Sequence, residues 1–263
     1  MLHTFTGTRD EAWFLLISLG IEARGGPILK SIMQCLNAMT VHDESVMLEA
    51  LKALSKELLI IKLILERMPD KDPEGNFLND PQVFYQQVRP YMAGWENALN
   101  GLPNGLVYQG VKGETGEDLQ LKFAGASAGQ SPILHCLDIV LGIKHHPTRV
   151  SGQQQPKNLE HRTTYIYEMR KYMLREHREF LSILETTTNI KSYMERQQDS
   201  FSEEMKPLLL GAFNDLVNTM KEFRDFHIQL ITRYILIPSS KSKEVARGTG
   251  GTGKPYYWRL RIY

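Results

Sequence analysis

The sequence predicts an all-α protein built as a single large helical domain. Apolar residues recur at steps of three and four along most of the chain, and no convincing series of alternating strands is found in it. Hydrophobic residues make up 42% of the 263 positions, which is enough to bury a substantial core. No segment repeats another at a fixed period, and this counts against a helical solenoid.

The helix candidates follow one another along the chain with turn-rich segments between them. In the last helix, Pro207 suits the first turn and Pro238 can end the pattern. The predicted helices span residues 10–23, 27–38, 45–67, 80–92, 131–143, 163–173, 175–187, 190–197 and 207–237. The turn-rich segments span residues 69–75, 101–118 with its five glycines, 146–156 and 239–254, and the last is rich in Ser, Lys and Gly and expected to be mobile.

Charge and cysteine content exclude several classes of partner and site. Thirty-one Lys and Arg against 30 Asp and Glu leave a net charge of +1, which supplies no field to attract nucleic acid or an anionic membrane. Cys35 and Cys136 are the only cysteines, so neither a disulfide framework nor a thiolate metal cage is available. The first residues lack a secretory pattern, and the apolar run 13–21 is too short to span a bilayer. We therefore expect a cytoplasmic protein.

One imidazole stands out because it lies on the apolar face of the last predicted helix. At steps of three and four, that face carries Leu209, Phe213, Leu216, Met220, Phe223, His227, Leu230 and Tyr234. Arg224 falls one turn before His227 on nearly the same face, and a buried cation needs an anion. Two interpretations stay open: His227 is a core histidine, which is the commoner case, or an axial ligand of a flat, metal-containing group.

A run of small residues precedes the helix predicted at 131–143. Seven of the nine positions in Phe123-Ala-Gly-Ala-Ser-Ala-Gly-Gln-Ser131 are Gly, Ala or Ser. Missing side chains allow the backbone to approach a partner closely. Taken alone, the run favours packing against a crossing helix over contact with a planar ligand.

Residues 84–95 combine aromatic side chains with one arginine at helical spacing. Phe84, Tyr85, Tyr91 and Trp95 supply an aromatic wall, and Arg89 can hold a carboxylate through two parallel hydrogen bonds. An amino-acid-like substrate matches this combination. The alternative is a core stripe that ends in a solvent-facing arginine.

Asp138 is a candidate buried carboxylate, three residues after His135 in an apolar helix. It can neutralise Arg224 or orient the imidazole of His227, and the alternative is a polar position at the edge of a helix. The sequence supports no Ser-His-Asp set or paired-carboxylate motif.

Two other motifs argue against nucleotide and metal sites. Residues 248–252, Gly-Thr-Gly-Gly-Thr, lack the preceding strand, the spacing and the lysine of a nucleotide-binding loop. A flexible lid with two hydroxyls or a disordered tail explains them better. The pair His145-His146 has no third ligand at helical spacing, so a solvated loop is the expected environment.

Four blocks, in order along residues 5–252, resemble the large helical domain of the indoleamine 2,3-dioxygenase family. The pairing of the third and fourth blocks is highly specific. The blocks are Trp13-Phe-Leu-Leu-Ile-Ser-Leu-Gly-Ile-Glu22, the segment 84–95, Gly105-Leu-Val-Tyr-Gln-Gly110 leading to Phe123-Ala-Gly-Ala-Ser-Ala-Gly-Gln-Ser131, and Phe226-His-Ile-Gln-Leu-Ile-Thr-Arg-Tyr-Ile-Leu-Ile-Pro238 with the later Gly-Thr-Gly-Gly-Thr.

The resemblance implies a haem pocket between helices and a role for each motif. It makes His227 the proximal ligand of the iron of haem b, with Asp138 and Arg224 supporting that ligand and the propionate side. The segment Ser127-Ala128 lines the distal pocket. The residues implied around the substrate are Phe14, Ser18, Phe84 and Tyr85 near the indole, Arg89 at the carboxylate and Thr249 in a mobile loop over the site.

The implied reaction inserts both atoms of molecular oxygen across the indole C2–C3 bond of L-tryptophan or a related indoleamine, giving N-formylkynurenine. An electron donor keeps the iron ferrous. A neutral imidazole ligates ferrous haem, and hydrogen bonding at its second nitrogen adjusts the electron density at the iron. Because the cofactor performs the chemistry, no side chain has to act as a general base.

Three departures from the family pattern lead to further expectations. The family begins with a smaller helical domain, whereas this chain begins at the large one. We expect a large haem-binding domain over residues 1–252, with a flexible loop at 239–252, and a divergent tail over 253–263. Tyr85 stands where the family often has phenylalanine, which adds a hydroxyl near the implied indole site. The alternative functions are an oxygen-binding haem protein without enzymatic activity and an inactive fragment.

Overall fold

The computed structural model describes residues 3–95, 102, 105–145, 165–187 and 189–242. Helices dominate these ranges, and one short sheet accompanies them. The α-helices are α1 (Arg9–Glu22), α2 (Gly25–Val41), α3 (Glu44–Glu66), α4 (Pro81–Val83), α5 (Pro132–Val140), α6 (Tyr165–Met169), α7 (Arg175–Thr186), α8 (Ile190–Gln197), α9 (Met205–Ile231) and α10 (Ile237–Ser242). The prediction of a mainly helical protein is confirmed.

Local capping explains where several helices begin and end. The carboxylate of Asp43 accepts a hydrogen bond from the backbone N–H of Val46 at 2.9 Å and so caps the start of α3. Asp80 caps α4 in the same way, with Pro81 in the first turn, where a missing N–H costs nothing. At the end of α2, His42 adopts a left-handed conformation with φ 54°, which stops the helix.

Two predicted helices change their pitch, which periodicity alone did not reveal. The stretch 80–92 passes from α4 into a π-helix at Phe84–Val88 and a 3₁₀-helix at Arg89–Met92. The last helix widens into a π-helix at Thr232–Leu236 and then continues as α10. The prediction that Pro238 ends the helix is therefore wrong. A π-turn just before a proline gives its ring room, so the helix continues.

The predicted loop at 101–118 contains strand structure that the sequence pattern did not indicate. Strand β1 (Leu106–Lys112) pairs antiparallel with β2 (Asp118–Leu121), with a register shift between Tyr108 and Lys112. All seven residues of β1 are exposed, so no alternation of buried and exposed positions marks the strand. The turn between the strands uses Gly116 at φ 81°, a conformation that favours glycine.

The chain groups by contacts into two compact units. Among the described residues, unit 1 holds 3–16, 68–95, 102, 105–128 and 228–242, and unit 2 holds 17–67, 129–145, 165–187 and 189–227. The division falls inside α1 and at the C-terminal end of α9. The expectation of one domain over residues 1–252 stays a prediction, and the tail 253–263 lies outside the described residues. Because α10 extends to Ser242, the loop expected from residue 239 is helical at its start.

The core of unit 2 forms where α2 packs against α3, α5 and α8, and where α5 packs against α7. Its fully buried side chains are almost all aliphatic, which gives the close packing that a helical core requires. They include Ile28, Ile32, Leu51, Leu54, Leu58, Ile61, Leu137, Leu141, Leu181, Ile190 and Leu209. This packing holds α5 and α7 and so positions the polar residues that they carry.

In unit 1, Tyr234 of the π-helix Thr232–Leu236 bonds to the segment that follows α3. Its hydroxyl lies 3.1 Å from the carbonyl oxygen of Met68 and 3.0 Å from that of Asn79. Burial raises the pKa of Tyr234 to about 12, so the group stays a neutral donor. It can donate to one carbonyl at a time. The π-helix Thr232–Leu236 is held in place from inside the unit.

The apolar stretch Arg9–Val41 is long and apolar enough to count as a candidate membrane span by length and composition. Such a stretch near an N-terminus is weak evidence, because core helices pass the same test. A turn at residues 23–24 divides it into helices of 14 and 17 residues, each shorter than the roughly 20 residues that span a bilayer.

Candidate functional site

His227 lies near the end of α9 in a partly exposed position. Burial lowers the pKa of His227 to about 4, and the positive charge of Arg224 acts in the same direction. The ring is therefore neutral at pH 7. Neither ring nitrogen has a hydrogen-bond partner among the described residues. A neutral imidazole that keeps accessible surface and has no partner within that part of the chain is suited to ligate a metal.

Arg224, one turn before His227, forms an ion pair with Asp138 of α5. The Arg224 side chain is 13% exposed and the Asp138 side chain is 5% exposed, so both charges have lost most of their water. The predicted neutralisation of Arg224 by Asp138 is confirmed. The alternative prediction, a polar position at the edge of the helix, is wrong because the carboxylate of Asp138 is buried.

The second oxygen of Asp138 accepts a hydrogen bond from Nε2 of His145 at 2.6 Å. The His145 side chain is 8% exposed, so the predicted solvated loop is wrong for this residue. His146 lies outside the described residues. The carboxylate of Asp138 thus receives a donor on each oxygen, which fixes its orientation. The sequence contained no signal for this contact, because seven residues separate the partners and His145 follows the end of the helix.

The second terminal nitrogen of Arg224, Nη1, is buried and has no hydrogen-bond partner among the described residues. A buried donor left without an acceptor costs about 1–3 kcal/mol, and more when it is charged. A bound anion would supply the hydrogen-bond acceptor that this nitrogen lacks. A carboxylate of a bound ligand is the simplest group to satisfy it, since guanidinium and carboxylate match in geometry.

Unit 1 contains an aromatic cluster that includes four of the predicted substrate residues, Phe14, Phe84, Tyr85 and Arg89. The rings of Phe14 and Phe84 lie 4.8 Å apart, and the ring of Tyr234 meets Phe84 edge-on at 5.8 Å. Phe84 and Tyr85 are buried, and the guanidinium of Arg89 lies 5.3 Å from the ring centre of Tyr85. Of the predicted set, this places Phe14 and Phe84 in contact, and Arg89 with Tyr85.

Two other predicted substrate residues are placed less directly. Ser18 lies one turn after Phe14 on α1 and belongs to unit 2. Thr249 lies outside the described residues. Tyr234, which the resemblance did not single out as a substrate residue, joins the aromatic cluster through Phe84. Its spacing on the apolar face of the last helix was the only signal for it.

The small-residue run lies against another backbone segment, at the end of the 3₁₀-helix Arg89–Met92. A Cβ added at Gly125 would lie 1.8 Å from the carbonyl oxygen of Met92, closer than any real contact. Gly94 and Ala124 form an isolated antiparallel bridge beside it. Within the run, Ser127 and Ala128 keep accessible surface, and Ala128–Gln130 forms a 3₁₀-turn. The glycine is required because two backbone segments touch.

A model of the family described as "Indoleamine 2,3-dioxygenase" matches residues 1–254 of the chain. The chain belongs to the indoleamine 2,3-dioxygenase family. The predicted family resemblance is thereby confirmed, and it extends beyond the motifs that suggested it.

Indoleamine 2,3-dioxygenases and one differently named enzyme are among the similar proteins. The indoleamine 2,3-dioxygenase of Saccharomyces cerevisiae is 35% identical over 257 residues, covering 97% of this chain and 50% of the yeast protein. Indoleamine 2,3-dioxygenase 1 of Rattus norvegicus is 33% identical, covering 96% of this chain and 57% of the rat protein. The 6-hydroxytryptophan 2,3-dioxygenase of Fusarium equiseti is 29% identical, covering 96% of this chain and 55% of the fungal protein. This family member therefore spans about half the length of the curated relatives it matches.

The residues around His227 fit a haem group. The imidazole is neutral, and the buried Nη1 of Arg224 lacks an acceptor that a propionate can supply. Both residues lie on α9, one helical turn apart, so one ligand can meet both. Asp138 holds the guanidinium in place from the other side. The individual roles of the residues stay predictions.

Removing the charge of Asp138 should destabilise the protein strongly. In Asp138→Asn, Arg224 is left as a buried cation without its anion, and we expect the free energy of unfolding to fall by about 2–4 kcal/mol. Urea denaturation measures this. Asp225→Asn is the matched control, since Asp225 is 48% exposed and pairs with the exposed Lys221, and its expected cost is about 0.5 kcal/mol or less. Equal effects of the two changes would contradict a buried, structurally important pair.

The depressed pKa of His227 makes stability depend on pH. In the unfolded chain this group binds a proton near its ordinary pKa of 6.5, whereas in the folded chain it does so only near 4. The stabilisation linked to the neutral ring is therefore fully present above about pH 6.5, and the free energy of unfolding declines as the pH falls towards 4. The loss is at most about 3 kcal/mol, and it is smaller than this limit because the ring is partly exposed. Unfolding of the ligand-free protein at pH 7 and pH 5 tests this. His227→Leu should lose less stability between pH 7 and pH 5 than the parent. An equal loss in both proteins would show that His227 is not the group whose pKa is lowered.

Proposed function

We propose that this protein is a haem-dependent dioxygenase that inserts molecular oxygen across the indole C2–C3 bond of L-tryptophan or a related indoleamine, giving N-formylkynurenine. The observation that carries the proposal is the neutral imidazole of His227 beside the buried, unsatisfied Nη1 of Arg224. Membership of the indoleamine 2,3-dioxygenase family supports it.

His227 would hold the iron of haem b, and Arg224 would bind a propionate. Asp138 would keep the guanidinium oriented, because both of its oxygens are engaged by donors, one from Arg224 and one from His145. Ser127 and Ala128, which retain accessible surface, would lie against the ring. When bound, ferrous haem supplies the activation of molecular oxygen, and an external electron donor keeps it in the ferrous state.

The predicted substrate residues would bind and orient the indoleamine. Phe14 and Phe84 would enclose the indole with Ser18 and Tyr85, and Thr249 would belong to a loop that covers the substrate. Arg89 would hold the substrate carboxylate in a two-pronged geometry. An apolar wall excludes water from the reacting carbons, and fixed placement of the substrate accounts for much of the rate gain. None of these residues has to move a proton.

The proposed location is the cytoplasm, a reducing compartment in which two buried cysteines stay as free thiols. Cys35 and Cys136 are both free, and burial raises the pKa of each thiol to about 12, which keeps them protonated and unreactive. The balanced net charge of +1 supports neither a nucleic acid nor a membrane as partner.

Turnover with labelled oxygen tests the proposal. Purified protein supplied with haem b, a reductant and L-tryptophan under heavy-isotope dioxygen is expected to form N-formylkynurenine that carries both labelled atoms, as measured by mass spectrometry. Tryptamine and 6-hydroxytryptophan are tested beside it, because one relative bears the latter name. Full haem loading without any product would overturn the enzymatic function. Reversible oxygen binding that L-tryptophan leaves unchanged would instead indicate an oxygen-carrying protein.

A further inference from the structure

We propose that His135 is a positioning residue that fixes the backbone of the turn Ala128–Gln130 and thereby sets the affinity for the indoleamine substrate. Nε2 of His135 lies 2.8 Å from the carbonyl oxygen of Gly129, in the middle of that turn. His135 is 1% exposed and belongs to α5. The second half of the inference rests on the proposed function, in which Ser127 and Ala128 lie at the cofactor.

The hydrogen bonds of His135 determine which ring nitrogen carries the proton. Nε of Arg170 lies 3.1 Å from Nδ1 of His135, and a guanidinium can only donate. Nδ1 is therefore the acceptor, and Nε2 carries the hydrogen and donates it to Gly129. Burial lowers the pKa of His135, which keeps the ring in this neutral form. The ring of His135 thus accepts a hydrogen bond from Arg170 and donates one to the carbonyl oxygen of Gly129.

Arg170 is held on three sides, so it can fix the ring in turn. Besides its bond to His135, it pairs with the carboxylate of Glu185 at 2.8 Å, and its guanidinium carbon lies 4.3 Å from the ring centre of Tyr167. The hydroxyl of Tyr167 also donates to Glu185 at 3.2 Å. These partners limit the positions that Arg170 can take, although Tyr167 is 44% exposed and the Glu185 side chain 33%. Glu185 of α7 therefore helps to orient Arg170 towards the ring of His135.

The bond from His135 restrains the backbone next to a short accessible segment. Gly129 is buried and bonded to His135, and residues 126–128 just before it keep accessible surface. Restraint of a backbone segment before a ligand binds lowers the entropy lost on binding. Loss of the bond to His135 removes one restraint on the backbone at Gly129.

The test compares two substitutions of His135 in the haem-loaded protein. His135→Gln retains a donor for Gly129 and an acceptor for Arg170, whereas His135→Leu fills the space and retains neither. In His135→Leu we expect amide hydrogen exchange in residues 123–131 to accelerate at least about tenfold and the KM for L-tryptophan to rise about fivefold or more, with kcat within about twofold. His135→Gln should restore both quantities. His177→Leu, at an exposed position on α7, is the matched control and should change neither.

The outcomes separate this inference from the proposed function. Unchanged exchange in His135→Leu, or failure of His135→Gln to restore it, would overturn the positioning role whether or not the protein turns over tryptophan. Faster exchange with an unchanged KM would overturn the role in substrate affinity. A parent protein without turnover would defeat the proposed function, while the exchange comparison still decides whether His135 fixes the turn. If His135→Leu does not fold, Arg170→Leu removes the donor to Nδ1, together with the pair to Glu185, and leaves the bond from Nε2 to Gly129 in place, so it should give the same changes at smaller size.

Discussion

Replacement of His227 by Ala is expected to abolish stable haem binding. The change removes the nitrogen that would bond the iron, and no other described histidine is one helical turn from an unsatisfied arginine. We expect the affinity for haem to fall on the order of 100-fold or more, since even residues that only support a ligand are worth 10- to 100-fold. Titration of the ligand-free protein with haem b, followed by the Soret absorption, measures the affinity.

His177→Ala is the matched control for this substitution. His177 is exposed on α7 and belongs to the same unit, so its loss should leave the titration unchanged. A normal Soret band in His227→Ala would show that iron is held elsewhere. The result would remove the basis of the proposed function, since the argument from Arg224 depends on the neighbouring imidazole.

Gly125→Ala is expected to destabilise the protein by about 3 kcal/mol or more. The added Cβ would lie 1.8 Å from the carbonyl oxygen of Met92, 2.5 Å from the carbonyl carbon of Ala93 and 2.7 Å from the nitrogen of Gly94. All three are backbone atoms, so relief requires a shift of the chain and not a rotation of a side chain. Urea unfolding measures the cost. A second expected effect is weaker haem binding, because the segment that carries Ser127 and Ala128 would move.

Gly211→Ala provides the opposite expectation for the same chemical change. Nothing lies within 4 Å of a Cβ added at Gly211, which is inside α9 and exposed. Alanine favours the helix over glycine by about 1 kcal/mol, so this variant should be more stable than the parent. If Gly125→Ala were also neutral or stabilising, the close backbone contact would be wrong.

Periodicity predicted helices well where one face of the helix packs against a core. The helix predicted at 45–67 corresponds to α3 within one residue, because Leu51, Leu54, Leu58 and Ile61 recur at steps of three and four and are all fully buried. The hairpin of β1 and β2 was missed for the converse reason. An exposed strand buries no alternate side chains, so its pattern is not distinguishable from that of a loop.

The sequence indicated some residues of the candidate site and one contact among them, while the roles of these residues stay predictions. Position on an apolar face marked His227 and Arg224, and the pairing of Arg224 with Asp138 followed because a buried cation needs an anion. The lack of a third ligand at helical spacing predicted a solvated loop for His145, whereas its ring donates to Asp138 at 2.6 Å. Chain positions outside regular helices leave no periodic signal for burial, so only the folded chain reveals such a partner.

The sequence by itself determined the helical class, the place of His227 on the apolar face of its helix and the close backbone approach at the small-residue run, because each depends on local spacing or on the absence of a side chain. Tertiary structure alone decided which atoms remain without partners. That Nη1 of Arg224 lacks an acceptor among the described residues, and that His135 joins Arg170 to Gly129, both result from segments far apart in the chain meeting in a low-dielectric interior. Hydrogen bonds of this kind depend on distances of a few ångströms, which spacing along a chain does not specify.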